Sequence, residues 1–146
     1  MSTSAYSVRK ATPVDLDGIK ALADAHKHEL GFVLRPALAR SIARGMLLVA
    51  ENRSGLVGFV EYYHRRDGQT TLYHIAVVVD HRREGAGRAL IDALCDEARC
   101  MGQRKIRLKC PEGLSAQSFY AQVGFRLVEW ERGRRRALAI WERWFD

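Results

Sequence analysis

The chain has 146 residues, 47% of them hydrophobic and 28% charged, which is the balance of an ordinary folded protein, and we expect one domain spanning 1–146. Its longest apolar runs have five residues, whereas a membrane-spanning helix needs about 20. No apolar signal-peptide core follows Met1. We therefore expect a cytoplasmic protein with no membrane partner. The net charge of +7 suits either nucleic acid or a phosphorylated cofactor, and three cysteines without a C-x-x-C pair indicate neither a disulfide framework nor a metal site.

The first part of the chain predicts a strand followed by two helices. Residues Tyr6 to Lys10 alternate as in a strand, and Thr12-Pro13 is typical of a helix start. The segment from His26 to Phe32 indicates the end of that helix and a loop. A second short helix is predicted from Arg35-Pro36 to about Ala43.

The middle of the chain predicts three strands joined by tight turns, and then a long helix. The strands are Met46 to Glu51, Leu56 to Tyr63 and Thr70 to Val79. An apolar stripe at helical spacing follows from Ala89 to Met101.

The last part predicts a strand, a helix and a closing hairpin. The strand is Lys105 to Lys109, the helix runs from a Ser115 cap to about Gln122, and the hairpin strands are Phe125 to Trp130 and Ala137 to Trp144. The order β-α-α-β-β-β-α-β-α-β-β predicts an α/β (α+β) fold, with a mixed sheet of about seven strands and helices on both faces. The final strand is apolar enough to join a homodimer interface.

The segment between the predicted strand ending at Val79 and the helix after it carries two glycines, Gly85 and Gly87, among arginines. Glycines at a strand–helix junction let backbone N–H groups and the positive end of the helix dipole converge. This corner therefore predicts a phosphate site, and we expect it to hold a pyrophosphate.

Two common phosphate motifs do not fit this corner. No Gly-Lys-Ser/Thr ends the run, which excludes a Walker loop. A dinucleotide fingerprint would need glycine at position 90, where Leu90 stands, and the preceding strand is the fourth predicted strand, not the first.

Two segments resemble the signatures of one enzyme superfamily. Residues 77–91, VVVDHRREGAGRALI, resemble the acetyl-coenzyme A (acetyl-CoA) signature of the GNAT N-acetyltransferases, with its R/Q-x-x-G-x-G/A core. Residues 115–125, SAQSFYAQVGF, resemble the second signature, A-x-x-x-Y-x-x-x-G-F. The predicted order of elements also matches that superfamily, so the resemblance covers nearly the whole chain.

The resemblance implies a binding site for acetyl-CoA as cosubstrate. The pantetheine arm would pair with the main chain of Ile75, Ala76 and Val77, beside a splay between this strand and the next. The pyrophosphate would bind around Arg82, Arg83, Glu84, Gly85, Ala86, Gly87 and Arg88. Gly113 stands where the second signature often has Asn, a departure for which Ser115 would partly substitute.

The resemblance also gives Tyr120 a role, as the general acid that donates a proton to the leaving thiolate. The simpler alternative is an aromatic packing residue. A Glu that some N-terminal acetyltransferases place twelve residues before this tyrosine is replaced by Leu108, so that base is absent.

The acceptor amine must lose a proton before it attacks, and several side chains can take it. The main candidates are His74 and Glu61 on predicted strands, with Tyr73 and Glu112 as further ones. Ordered water without a dedicated base remains an alternative.

The resemblance places the acceptor site between His26 to Arg35 and Glu131 to Arg136. The basic run Arg132 to Arg136 suggests an acidic or carboxylate-bearing acceptor, while a solvated charge run is the plainer interpretation.

We therefore expect an N-acetyltransferase that moves an acetyl group directly from acetyl-CoA to a primary amine of a small molecule, a protein N-terminus or a lysine. A route through an acetylated Cys110 is a variant of this hypothesis. The alternatives are a non-catalytic CoA-binding sensor and, from the charge alone, a nucleic-acid-binding protein.

Overall fold

The structure, a computed structural model, describes residues 6–81 and 85–145, without the side chain of Asp80. Its strands are β1 (Ser7–Lys10), β2 (Leu47–Asn52), β3 (Gly55–His64), β4 (Gln69–Val77), β5 (Lys105–Pro111), β6 (Arg126–Arg132) and β7 (Ala137–Trp144). Its α-helices are α1 (Leu16–Ala25), α2 (Lys27–Leu30), α3 (Arg35–Ala43), α4 (Ala86–Cys100) and α5 (Ala116–Gln122). None of the helices in the described ranges combines the length and apolar character needed to cross a membrane.

The seven described strands form one mixed sheet in the order β1-β2-β3-β4-β5-β7-β6. All neighbours are antiparallel except β4 and β5, which run parallel and are joined through α4. This confirms the predicted fold class. Strand β7 lies between β5 and β6 with residues 139–142 buried, and the homodimer interface stays a prediction.

Helices cover both faces of the sheet, as the strand pattern of β2 shows. Its successive residues alternate between two clusters of buried side chains, with Leu47 and Val49 in one and Leu48 and Ala50 in the other. The first cluster takes its helical residues from α1 and α3: Ile19, Leu22, Ala23, Leu38 and Ile42. The second takes them from α4 and α5: Ala86, Leu90, Ile91, Leu94, Cys95, Ala98 and Tyr120.

The structure moves several predicted boundaries. A 3-10 turn over Pro13–Asp15 precedes α1, and the segment expected to be loop contains the short helix α2. Strand β4 ends at Val77 because Val79–His81 form another 3-10 turn. Helix α4 begins at Ala86, three residues before its predicted start, because Gly85 with φ 96° initiates it.

Candidate active site

The central feature of the sheet is a gap between its two parallel strands. Within the described residues, β4 and β5 pair only at their beginnings, Gln69↔Lys105, Thr70↔Ile106 and Thr71↔Arg107. Beyond Thr71 the strands part, while β4 stays paired with β3 and β5 stays paired with β7 as far as Pro111. The gap therefore opens toward the carboxyl ends of both strands.

The main chain of Ile75 faces this gap. The N–H of Val78 donates to the carbonyl of Val57 at 2.8 Å, so the main-chain polar groups of Val78 point toward β3. Main-chain polar groups of a strand alternate between its two neighbours, and those of Ile75 therefore point the opposite way. They lie where an extended ligand could pair with β4 as an added strand.

Within residues 6–81 and 85–145, the first N–H groups of α4 have no hydrogen-bond partner, and they lie beside the carboxyl end of β4. Gly85 is the N-cap residue and has no side chain to bond them, and the first intrahelical bond shown at this end runs from Ala89 N to Gly85 O, at 2.9 Å. The N–H groups of Ala86, Gly87 and Arg88 precede that bond, and such groups bind anions.

Gly87 has a packing role in addition to the one that its place in the motif suggests. A Cβ on Gly87 would lie 3.0 Å from Cε1 of Phe119. The residue is therefore required for the close packing of α4 against α5. At Gly85 a Cβ would meet nothing within 4 Å, but the positive φ favours glycine.

Other predicted cofactor residues have mixed outcomes. Arg82, Arg83 and Glu84 lie outside the described residues. The guanidinium of Arg88 donates to the carbonyl of Gln122 at 3.2 Å, which holds it against the end of α5. Ser115 is the N-cap residue of α5, but its side chain makes no capping hydrogen bond and is exposed.

Tyr120 lies on the α4–α5 face of the sheet and is only 6% exposed. Its ring packs at 5.5–6.4 Å between centroids against three aromatic rings, those of Phe119, Phe125 and Trp141. Burial, with smaller contributions from Cys110 and Glu29, raises the pKa of Tyr120 well above its usual value. The phenol therefore keeps its proton at neutral pH.

On the α1–α3 face, a bulge in β4 brings the two main predicted bases together. Tyr73 is the extra residue, because Glu61 pairs with His74 while Tyr62 pairs with Leu72. His74 Nδ1 lies 2.7 Å from Glu61 Oε1. A carboxylate only accepts hydrogen bonds, so Nδ1 carries the hydrogen and Nε2 is the basic nitrogen.

Ser41 of α3 completes this arrangement. Its hydroxyl donates to Glu61 Oε2 at 2.6 Å. Glu61 is 4% exposed, so its two oxygens are fixed by Ser41 and His74 in buried surroundings. Both oxygens of Glu61 are therefore engaged, and the carboxyl group holds the His74 ring in place.

An open cleft of about 490 Å³ lies beside His74, and we call it the acceptor cleft. Its polar lining consists of Arg40, Ser41, Arg44, Glu61 and His74. Its rim carries apolar side chains that are unusually exposed for their type: Phe32 at 88%, Leu34 at 65% and Tyr73 at 53%. The predicted acceptor segment from His26 to Arg35 therefore contributes to the same cleft as the candidate base.

The second predicted acceptor segment lies in a different cavity. Residues Glu131 to Arg136 line a space of about 530 Å³ at the β6–β7 hairpin, together with Glu112 and Trp130. This cavity shares no lining residue with the acceptor cleft. Glu112 is consequently separated from the His74 cluster.

Sequence reasoning missed Arg40, Ser41 and Arg44. The available signal was their spacing, since with Ala37 they occupy positions i, i+3, i+4 and i+7 of one helical face. It also missed Gln117, whose amide donates to the carbonyl of Pro111 at 2.9 Å and accepts from the Trp141 indole at 2.6 Å. This side chain ties α5 to the end of β5, at the edge of the gap.

The fold is shared with solved N-acetyltransferases at low sequence identity. The structure of Ard1 from Thermoplasma volcanium is 20% identical with a TM-score of 0.85, covering 96% of this chain and 97% of that one. The PaiA N-acetyltransferase from Thermoplasma acidophilum, in complex with coenzyme A, is 20% identical with a TM-score of 0.83, covering 99% and 100%. N-acetylglutamate synthase from Neisseria gonorrhoeae, complexed with coenzyme A and N-acetyl-glutamate, is 20% identical with a TM-score of 0.83, covering 98% of this chain and 36% of that one.

The sequence matches none of the curated proteins. It does match the family model described as the acetyltransferase (GNAT) domain, over residues 43–127. The match runs from the end of α3 to the beginning of β6. It includes strands β4 and β5 with the gap between them, the amino end of α4, and Tyr120. With more than half of its length inside that model, the chain belongs to the GNAT family and is an acetyltransferase.

Proposed function

We propose that this acetyltransferase moves the acetyl group of acetyl-CoA directly to a primary amine bound in the acceptor cleft. One observation carries the proposal: β4 and β5 separate, and the gap lies between two reactive groups. The protonated phenol of Tyr120 lies on one face of the sheet, and the His74–Glu61 pair lies on the other. We take residues 1–146 as a single domain, because both clusters of buried side chains pack on one sheet. We also place the reaction in the cytoplasm, as the composition leads us to expect.

The donor would lie along β4, with its pyrophosphate at the amino end of α4. The N–H groups of Ala86, Gly87 and Arg88 fit a pyrophosphate, and the main chain of Ile75 fits the amide groups of a pantetheine arm. Two of the similar solved proteins hold coenzyme A, which supports coenzyme A as the ligand of this fold.

The chemistry follows from the two faces of the gap. His74 Nε2 takes a proton from the acceptor ammonium, and the Glu61 carboxylate stabilises the imidazolium that forms. The neutral amine attacks the thioester carbonyl, whose oxygen gains charge that a main-chain N–H of the gap stabilises. The C–S bond then breaks as Tyr120 donates its proton to the sulfur. The nitrogen of the new amide gives up its extra proton to solvent, solvent reprotonates the tyrosinate, and the imidazolium returns its own proton to solvent.

An acetylated-cysteine route is disfavoured by the surroundings of Cys110. Burial raises the pKa of this thiol to about 11, so it is protonated and weakly nucleophilic at neutral pH. Direct transfer requires no thiolate on the protein.

The proposal is tested by mixing the chain with acetyl-CoA and a panel of primary amines, and by following free CoA with a thiol reagent. We expect CoA release that depends on the amine and an acetylated amine detected by mass. A His74→Gln variant should lower kcat about 100-fold, the size typical of general base catalysis, without changing the dissociation constant for acetyl-CoA.

The same assay separates the non-catalytic alternative. A chain that binds acetyl-CoA but releases CoA at the same slow rate with and without every amine would be a CoA-binding protein, and the proposal would be wrong. A His74→Gln variant with unchanged kcat would remove His74 as the base while leaving acetyl transfer in place.

A further inference from the structure

The acceptor cleft carries two arginines for which the transfer chemistry gives no role. Ala37, Arg40, Ser41 and Arg44 project from one face of α3, and all four line the cleft. Ser41 anchors this face to Glu61, so Arg40 and Arg44, both exposed, lie one turn apart beside the His74 pair. Arg44 is held further by Tyr63, with its guanidinium carbon 5.6 Å from the ring centroid.

Neither arginine has a carboxylate partner among the described residues. Other arginines do, such as Arg9 with Asp15, Arg35 with Asp17 and Arg107 with Glu142. Like charges four residues apart on a helix repel each other. The negative end of the α3 dipole attracts positive charge, but it supplies no anion that could pair with two guanidinium groups.

The charge balance of the cleft then constrains the acceptor. The only carboxylate lining the cleft among the described residues is Glu61, whose oxygens already bond Ser41 and His74. An acceptor whose only charge is an ammonium group would be repelled by the two arginines. An acceptor with its own carboxylate would satisfy them, because the guanidinium fork matches a carboxylate in two parallel hydrogen bonds.

We propose that the acceptor is an amine that also carries a carboxylate, with the carboxylate bound by Arg40 and Arg44 and the amine at His74. This rests on the proposed function. The arginines also favour the uncharged form of the amine, which is the form that attacks. The cleft volume of about 490 Å³ falls in the range of small-molecule sites, and exposed Phe32 and Leu34 offer apolar contact to the rest of the acceptor.

An acceptor with both an amine and a carboxylate can be of two kinds. The carboxylate is either the α-carboxylate of a free amino acid or the side chain of an acidic residue at a peptide N-terminus. The experiment therefore compares kcat/KM within matched pairs: alanine with alaninamide, leucine with leucinamide, and Glu-Ala-amide with Gln-Ala-amide. We expect the carboxylate member of at least one pair to be preferred 50-fold or more. The pair that shows the preference identifies the source.

The variants are Arg40→Gln with Arg44→Gln, and the matched control is Arg53→Gln. Arg53 is an exposed arginine at the opposite end of β3 from Tyr63. The double variant should reduce the preference to fivefold or less, chiefly through a higher KM for the carboxylate member of the pair. The control should keep the full preference. Equal use of both members by the unmodified chain, or a preference that survives in the double variant, would overturn the proposal.

A binding measurement keeps this test separate from the test of activity. Calorimetry with N-acetyl-alanine, N-acetyl-leucine and N-acetyl-Glu-Ala-amide in the presence of coenzyme A needs no turnover. Binding that weakens at least tenfold in the double variant and not in the control supports the arginine site, and binding that is unchanged overturns it. Absence of CoA release with every amine, charged or neutral, refutes the acetyl-transfer proposal instead.

Discussion

At the scale of single residues, the proposed mechanism places its two proton transfers on opposite faces of the sheet. His74 lies on the α1–α3 face, where Glu61 and Ser41 fix its tautomer. Tyr120 lies on the other face, in a setting of aromatic rings. The leaving thiolate would lie in the same apolar surroundings as the Tyr120 phenol. Such surroundings raise the pKa of a thiol as they raise that of a phenol, which favours protonation of the sulfur.

Replacing Tyr120 by Phe should affect chemistry and little else. The ring contacts are retained, and the hydroxyl makes no hydrogen bond with the described part of the chain. We expect kcat to fall about 10- to 100-fold, within the usual range for a lost proton donor, and the free energy of unfolding to change by less than about 1 kcal/mol.

Rates at saturating acetyl-CoA and thermal unfolding curves of both proteins measure these two effects. A variant with the original kcat would show that Tyr120 is a packing residue, which is the simpler interpretation of its position.

The sequence named His74 and Glu61 as competing bases, and the structure joins them. Their contact depends on the register of β3 against β4 and on the extra residue Tyr73, which shifts that register by one position. A one-residue shift reverses which face a side chain occupies, and nothing in the local sequence marks this bulge. Ser41 was missed for the same reason, since its partner lies on a strand that follows 20 residues later.

At the scale of elements, the amino end of α4 is the part of the donor site with the clearest geometry. Asn and Asp adopt a positive φ more readily than other non-glycine residues, and both can cap a helix. A Cβ at Gly85 meets no atom of the described residues within 4 Å, and Asn and Asp have the same shape, so these two substitutions differ mainly in charge.

We therefore predict that Gly85→Asp raises the dissociation constant for acetyl-CoA at least about tenfold above that of Gly85→Asn, a difference of about 1.4 kcal/mol. The negative charge of Asp opposes the pyrophosphate, while Asn keeps the shape. Calorimetric titration of both variants gives the comparison, and melting temperatures show whether both are folded. Equal affinities would place the pyrophosphate elsewhere. Gly87→Asp is a poorer test, because its side chain would also strike Phe119.

The elements themselves were largely predictable, and the gap between them was not. Periodicity and turn residues gave every strand and the helices α1, α3, α4 and α5, because those signals are local. The short helix α2 was read as loop, since its four residues carry no periodic apolar stripe. The parting of β4 from β5 was expected only from the family resemblance, because strand separation depends on partners distant in sequence.

At the scale of the whole molecule, a partly buried polar network ties α4 to strands β1 and β3 of the sheet. Glu97 of α4 accepts hydrogen bonds from His64 at 2.7 Å and from Lys10. Burial alone would raise the pKa of Glu97, but these bonds outweigh it and hold the pKa at about 2. The network links β1, β3 and α4, three elements far apart in the chain.

This depressed pKa predicts acid sensitivity with a definite sign. The unfolded chain binds a proton at Glu97 near its usual pKa of about 4.3, so the stabilisation is complete above that pH and is lost as the pH falls toward 2. The shift corresponds to at most about 3 kcal/mol. Denaturant unfolding from pH 6 to pH 2.5 should show a steep loss of stability that is shallower in Glu97→Gln.

Asp96→Asn is the matched control, because the Asp96 side chain is 80% exposed and lies 4.0 Å from Arg99. Its profile should follow that of the unmodified chain. Parallel profiles for the unmodified chain and Glu97→Gln would show that other carboxylates dominate the acid response.

Acetyl transfer across the gap between β4 and β5 is the central proposal, and the rate of CoA release measures this transfer most directly. With acetyl-CoA saturating, we predict a rate that rises with acceptor concentration to a plateau, yields one acetylated amine per CoA released, and falls about 100-fold in His74→Gln. A slow release that is independent of every amine, from a chain that binds acetyl-CoA normally, would contradict the account.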